Sequence, residues 1–385
     1  MGTMKPAPKV ALLVETSNSY ARELLHGVRS WVREHGPWSI RLTEQGRGAA
    51  APAWLRGWDG DGVVARVENA KIARVLRATG LPVIDVSAAL PRLVFPRVAT
   101  DAEGAARLAA THLVNRGLKR FAYCGYRGAN WSRRRGESFA AAVRAAGGTC
   151  VRFAPPPGPV DEEIGAMAAW LKGLARPVGV LAAIDPRGQQ VLAACRLAGL
   201  AVPEEVAVIG VHNDELLCDL CDPPLSSVIP DARRAGYVAA GLLAKAMAGR
   251  RLAVTLHEIA PLGVASRQST DMAAVADAKI AGAVRFMRQH AAGGANVGDV
   301  LRAVPMARTA LERRFKAALG TTPHAHLRKL RIEHVKELLV STSLPVGEIA
   351  TAAGFEHIEY LSAMFRRVCG LSPREFRAQH RGRSG

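Results

Sequence analysis

Ile358, Glu359, Ser362, Ala363 and Arg366 recur at a spacing that places them on one face of a short helix, opposite the apolar set Leu361, Met364, Phe365 and Val368. Such a face makes and breaks no bonds. Glu and Ser can exchange hydrogen bonds with base edges, Ile358 and Ala363 can meet only methyls or shape, and Arg366 with Arg367 can meet phosphates. Just upstream, Val346, Ile349, Ala350 and Ala353 form the inner stripe of another short helix, and Gly354 ends it, because glycine accepts the left-handed conformation. Two short helices across a tight turn form a helix-turn-helix, whose second helix enters the DNA major groove. One copy alone is better read as a helical hairpin in an ordinary core.

A second copy decides between them. LERRFKAALGTTP (311–323) matches LSAMFRRVCGLSP (361–373) without a gap as Leu, three residues, Phe, a base, three residues, Gly, two residues, Pro. Ahead of it Val297, Val300, Leu301 and Val304 make another apolar stripe, and Pro305 with Met306 stand where Gly354 and Phe355 stand later. Between the copies, Leu327, Leu330, His334 and Leu338 mark one side of a helix of about 18 residues, about 27 Å long at 1.5 Å per residue. Adjacent major-groove faces are about 34 Å apart, so this connector suits two readers on one side of a duplex.

A different chemistry is spaced along the first 260 residues. VALLVET (10–16), followed by a stripe of Tyr20, Leu24, Leu25 and Val28, opens an α/β unit. The alternation recurs through DGVVARV, LPVIDVSA, RVATD, RFAYCGY, GVLAAID and VAVIGVH, with helices expected to Ala78, Asn115, Ala146 and Ala198, and predicts a parallel sheet covered on both faces. Lengths do not choose between one large sheet and two smaller ones. Open parallel sheets bind ligands at the carboxyl ends of their strands. The residues there are Ser17, Asn18, Tyr20 and Arg22, then Arg66, Asp85 and Asp101, then Trp131 and Arg135, Asp185, and His212 with Asn213. Asp101 reads as a helix cap. Trp131, Arg135 and His212 are the residues on which a ligand site leans most.

Other function classes find little support. No Gly-x-Ser-x-Gly, Walker loop or Gly-x-Gly-x-x-Gly occurs, and GRGAA (46–50) lacks the lysine of a phosphate loop. Cys218 and Cys221 have a redox or zinc spacing without a second ligand pair nearby, and His112, His290, His324 and His326 lack a helical metal partner, so neither metal nor cofactor is expected. Scattered cysteines point to reduced thiols in the cytoplasm. The N-terminus shows no long apolar run, which points away from export and from membranes. Lys+Arg at 52 against Asp+Glu at 33 favours a polyanionic partner, and residues 271–385 hold 18 basic and 10 acidic side chains, net +8.

Residues from about 278 to 381 resemble the DNA-binding domain of AraC/XylS transcription regulators, on RIEHVKELL, IATAAGF, YLSAMFRR and GLSPREFR. That resemblance implies base-facing positions at Arg308, Thr309, Glu312 and Arg313 in the first copy and at Ile358, Glu359, Ser362 and Ala363 in the second. Ala307 departs from it, standing at the usual Ser or Thr helix cap at a cost of about 1 kcal/mol. The earlier elements resemble the two-lobed, periplasmic-binding-protein-like effector domain of LacI/GalR regulators: WSRRRGESF carries that family's sugar-contacting Arg as Arg135, and VIGVHNDE its sugar-contacting strand end. Together the two halves resemble xylose-operon regulators, on LVETSNSYARELLHGV, GDGVVARV, VPEEVAVIGVHNDEL, PLSSV, ARRAGY and RQSTD.

The implied layout is an α/β sugar-sensing domain over 8–268, a linker over 269–277 where the composition turns small and polar, and an all-α domain with two helix-turn-helix units over 278–381. PPPGPV (155–160) reads as a turn inside a lobe. The implied partners are double-stranded DNA, a sugar effector, RNA polymerase and a second copy of the chain, and the implied control is activation. The effector residues expected are Tyr20, Arg22, Arg66, Trp131, Arg135, Asp185, His212 and Asn213. Two depart from the family: His212 replaces an acidic residue, and Arg66 replaces Asp after GDGV. Arginine only donates and prefers carboxylate or phosphate. Xylose is the expectation by resemblance, with a sugar acid as the alternative and a cytoplasmic sugar-binding protein without a DNA role as the weaker one.

Overall fold

The opening apolar run forms β1 (Lys9–Leu13), and the stripe behind it forms α1 (Ser19–His35), where Tyr20, Leu24 and Val28 are buried. In this computed structural model the described residues are 6–44, 46, 49–157, 160–271, 278–319, 321–342 and 344–381, and the chain divides into two compact units, 1–272 and 273–385. The first continues with β2 (Ser39–Leu42), β3 (Gly62–Ala65), α2 (Ala70–Ala78), β4 (Val83–Asp85) and β5 (Arg97–Thr100). It then crosses into a second lobe: α3 (Ala102–Val114), β6 (Arg120–Cys124), α4 (Asn130–Ala145), β7 (Thr149–Arg152), α5 (Val160–Lys172), β8 (Val178–Ala182), α6 (Asp185–Ala198), β9 (Val206–Val211), α7 (Glu215–Leu220) and β10 (Ser226–Ile229). It returns through α8 (Ala232–Met247) and β11 (Leu256–Ile259), and crosses again to β12 (Gly263–Ala265).

Two six-stranded sheets result, ordered β11-β5-β4-β3-β1-β2 and β12-β10-β9-β8-β6-β7. Their pairings are parallel except where β12 runs antiparallel to β10. The three crossings between lobes lie side by side: Asp101 N donates to Ile259 O and Leu262 N to Ile229 O, each at 2.8 Å.

By its composition TLHEIAPLGVASR (255–267) reads as a single strand closing the α/β domain. It is two, β11 in the first lobe and β12 in the second, with Pro261 in the crossing. The pattern also missed β2, β7 and β10, and helices α5, α7 and α8. Every residue of β2 is exposed and β7 is nearly so, because each sits at a sheet edge and has no apolar run to show.

The second unit is all helical: α9 (Ala278–His290), α10 (Val297–Ala303), α11 (Arg308–Leu319), α12 (Pro323–Ser341), α13 (Val346–Ala352), α14 (Ile358–Cys369) and α15 (Pro373–Arg381). It has two small cores. One joins Ile280, Val284, Val300, Leu311, Phe315 and Leu327, and the other joins Ile332, Val335, Leu339, Ile349, Leu361 and Phe365. The connector α12 therefore does not use the single stripe expected from Leu327, Leu330, His334 and Leu338. Its first half turns Leu327 and Leu330 to one core, and its second half turns Ile332, Val335 and Leu339 to the other. Val368, expected inside, is 55% exposed. Residues 272–277 of the expected linker, and Gly320 of the repeat, lie outside the described residues.

Candidate ligand cleft and nucleic-acid interface

The carboxyl ends of the two sheets present side chains toward each other. Tyr20, on the first turn of α1, stacks on His212, which follows β9, with ring centroids 4.7 Å apart and planes at 24°. This contact joins the two lobes. Arg66, following β3, lies with its guanidinium carbon 5.7 Å from the Tyr20 ring centre. It is held by two carboxylates, Glu15 at 3.5 Å and Glu68 at 2.8 Å, all three side chains being largely buried. Glu15 also accepts from Asn18, whose own Oδ1 caps α1 by accepting from Ala21 N at 2.9 Å. On the second lobe, Arg135 of α4 is buried, donates to Ala183 O at the end of β8, and lies 5.7 Å from the half-buried Trp131 ring.

The remaining candidates are less available. Arg22 is exposed and donates to Thr16 O at 2.9 Å, so it braces its own loop. Asp185 is 0% exposed, accepting from Ser227 Oγ at 2.6 Å and from Asp214 N at 2.8 Å. Burial drives its carboxyl up to about 6 against those two bonds. Its position is that of an internal post for the β9 and β10 strand ends. Asp85 is a similar post, ion-paired to Arg97 at 2.8 Å, and Asp101 caps α3 by accepting from Gly104 N at 2.8 Å. Asn213 holds its place through Arg267, whose Nη1 donates to Asn213 Oδ1 at 2.9 Å. Sequence reasoning missed Glu15, Glu68 and Arg267. Glu15 alone left a signal, as a charge inside an apolar run. Burial pushes the thiols of Cys218 and Cys221 up, the latter to about 11, so both are protonated at neutral pH, and no group of three or more metal-ligating side chains gathers among the described residues.

In the second unit the expected base-facing residues lie outside both cores. Arg308, Thr309, Glu312 and Arg313 on α11 are exposed, as are Ile358, Glu359, Ala363 and Arg366 on α14, while Ser362 is half-buried. Arg308 pairs with Glu312 at 3.1 Å along its own helix. The turns before these helices differ: Gly354, at φ +71°, makes the second, whereas the first runs through Val304 and Pro305. Met306 and Phe355 play one role, each packing against the core of its own half.

This arrangement has close relatives. Residues 9–102 match the XylR N-terminal domain family, 110–270 the periplasmic binding protein-like domain family and 300–379 a helix-turn-helix domain family. The xylose operon regulatory protein of Escherichia coli K12 is 30% identical over 380 residues, covering 96% of this chain and 96% of the relative. The chain belongs to the xylose operon regulator family. Another regulator of that name, from Haemophilus influenzae, is likewise 30% identical, over 96% of this chain and 98% of its own. A solved structure of a xylose-binding transcription activator, xylR, superposes with a TM-score of 0.83 at 28% identity, over 98% of this chain and 99% of that one. As a member of the xylose operon regulators, the chain is a DNA-binding transcription regulator of the AraC type, not an enzyme. No helix among its described residues is long and apolar enough to cross a membrane.

Proposed function

We propose that this chain is a cytoplasmic, dimeric activator of sugar-utilisation genes, whose grip on DNA is set by xylose, or a neutral sugar of its size, bound between the two lobes. The observation that carries the choice of sugar is the Glu15–Arg66–Glu68 cluster. Arg66 alone would suit an anion. With two carboxylates on it, the first lobe offers acceptors as well as donors to sugar hydroxyls. A sugar acid is the weaker reading, since Arg22 and Arg135 also spend donors on backbone carbonyls. The names of full-length relatives support xylose.

Sugar would meet Tyr20, Arg66, Trp131, Arg135, His212 and Asn213, with Asp185 holding the strand ends from below. By binding one arrangement of the lobes better than another, it would shift the population presented to DNA. The readers would be Arg308, Thr309, Glu312 and Arg313 on α11, and Ile358, Glu359, Ser362, Ala363 and Arg366 on α14. A homodimer would let two such tails engage repeated half-sites beside RNA polymerase. The sensor would run to Asp271 rather than to 268, because Ser269 and Thr270 are buried in the second lobe.

A thermal-shift panel of pentoses, hexoses and sugar acids tests the reading, followed by calorimetry. The expected winner is D-xylose, and Arg135→Ala should weaken it by about tenfold or more, as loss of a charged hydrogen bond does. Binding of a sugar acid with none to xylose would overturn the choice.

A further inference from the structure

The segment that leads out of the first unit is bonded into the second lobe. Ser269 Oγ donates to Val208 O at 2.6 Å and accepts from Ser226 N at 2.8 Å. Thr270 Oγ1 lies 2.7 Å from Ser226 Oγ and 2.7 Å from His112 Nε2, and Arg116 Nε donates to Thr270 O at 2.6 Å. Arg267 stands at the head of this segment, its backbone N donating to Ser226 Oγ at 2.7 Å. Its guanidinium ties three further groups: Nη1 donates to Asn213 Oδ1 at 2.9 Å and to Leu225 O at 3.2 Å, and Nε to Asp219 Oδ1 at 2.7 Å.

What Arg267 grips is strained. Among the described residues, His212 and Asn213 are the only non-glycine positions at positive φ, +118° and +51°. Such backbone costs on the order of 1–3 kcal/mol per residue and persists only where neighbours impose it. These neighbours include Tyr20, stacked on His212 from the first lobe, Val228, whose O accepts from His212 N at 3.0 Å, Ser227, whose Oγ accepts from Asn213 N at 2.9 Å, and Arg267. Contacts thus run from one lobe, through a strained pair at the cleft, to the root of the linker.

We propose that Arg267 is the coupling residue of this regulator: it transmits the seating of His212 and Asn213, which a ligand in the cleft changes, to the segment that carries the DNA-binding unit. The proposal rests on the reading of the cleft as a sugar site that governs DNA affinity. A ligand that parts Tyr20 from His212 removes one of the restraints on the pair. The pair then relaxes, and Arg267, bonded at once to Asn213 and to the strand that anchors residues 267–270, moves with it.

The test uses the full chain and the tightest duplex it selects from a random-sequence pool. Fluorescence anisotropy gives the ratio of DNA Kd values without and with saturating D-xylose, and calorimetry gives sugar affinity. If xylose does not bind, the assignment of the sugar fails, and the ratio is measured with the panel sugar giving the largest thermal shift. The wild-type ratio is expected at about fivefold or more, in the range of ordinary allosteric coupling. Arg267→Ala should bring it below about twofold at sugar concentrations that saturate the variant, whatever loosening Asn213 does to sugar affinity, and Arg267→Lys should restore part of it. A purely structural arginine would lower Tm or both affinities and leave the ratio alone. A wild-type ratio of one, or a wild-type-like ratio in Arg267→Ala with sugar still bound, overturns the proposal. Should Arg267→Ala fail to fold, Arg267→Met, which keeps the aliphatic stem and no donor, is read by the same criterion.

Discussion

His112 is a histidine in a place that forbids its charge. Burial, and the Arg116 guanidinium beside it, push its pKa from 6.5 down to about 4, while Nε2 lies 2.7 Å from Thr270 Oγ1. The unfolded chain takes up this proton near pH 6.5 and the folded chain only near 4, so the stability it lends is complete above pH 6.5 and is lost as pH falls toward 4. Asp185, raised to about 6, acts oppositely: it favours the fold at low pH and loses that contribution as pH rises through 6. The difference between variants isolates the histidine. In thermal melts from pH 7 to pH 5, His112→Gln should lose less Tm than wild type, by a few degrees, about 2–4 °C being roughly 1 kcal/mol for a domain of this size; equal losses would show that His112 is not held neutral. That Tyr20, Arg66 and His212 follow the carboxyl ends of β1, β3 and β9 was legible because the alternation of apolar runs and helical stripes says where each strand stops. Their partners were not. Arg267 meets Asn213 and Leu225 across 54 and 42 residues, and no local pattern reports such a bond.

At the scale of elements, α1 and α8 cross with their backbones nearly touching. A Cβ on Gly27 would meet Arg233 O at 2.0 Å, and one on Gly236 would meet Leu24 O at 2.0 Å, so each helix donates a glycine to the other. Neither contact can be relieved by a side-chain rotation, because the obstacle is main chain. Gly27→Ala or Gly236→Ala should therefore destabilise the first lobe by about 1–3 kcal/mol or more through overpacking, read as a lower melting transition of the first unit. A Tm within a degree of wild type would mean the helices can slide apart freely. The sequence carried the repeat of α10–α11 in α13–α14 plainly, because a 50-residue echo of the same apolar spacing needs no tertiary information. It misled about α12, since a helix serving two cores in turn rotates its buried face midway, and a search for one stripe averages the two. The split of β11 from β12 was hidden for a related reason: strand composition does not say which sheet a strand joins.

For the whole molecule, the question is where its charge acts. The chain carries a formal +19, of which +8 lies on residues 271–385, so most of the surplus is on the sensor and not on the reader. Were DNA attracted by charge alone, basic residues on both units would enter the salt dependence. If α11 and α14 read the grooves, only phosphates beside them release counterions, and each lost contact lowers the slope of log K against log salt by about 0.9. Arg366→Ala and Arg367→Ala, both exposed on α14, should each flatten that slope by about this amount. Arg308→Ala should do less, because Glu312 at 3.1 Å already offsets part of its charge. Arg196→Ala, exposed on α6 of the sensor, should leave the slope unchanged. If Arg196→Ala flattens it as much as Arg366→Ala does, the duplex is spread over the basic surface of both units, and the paired helices are not what holds it.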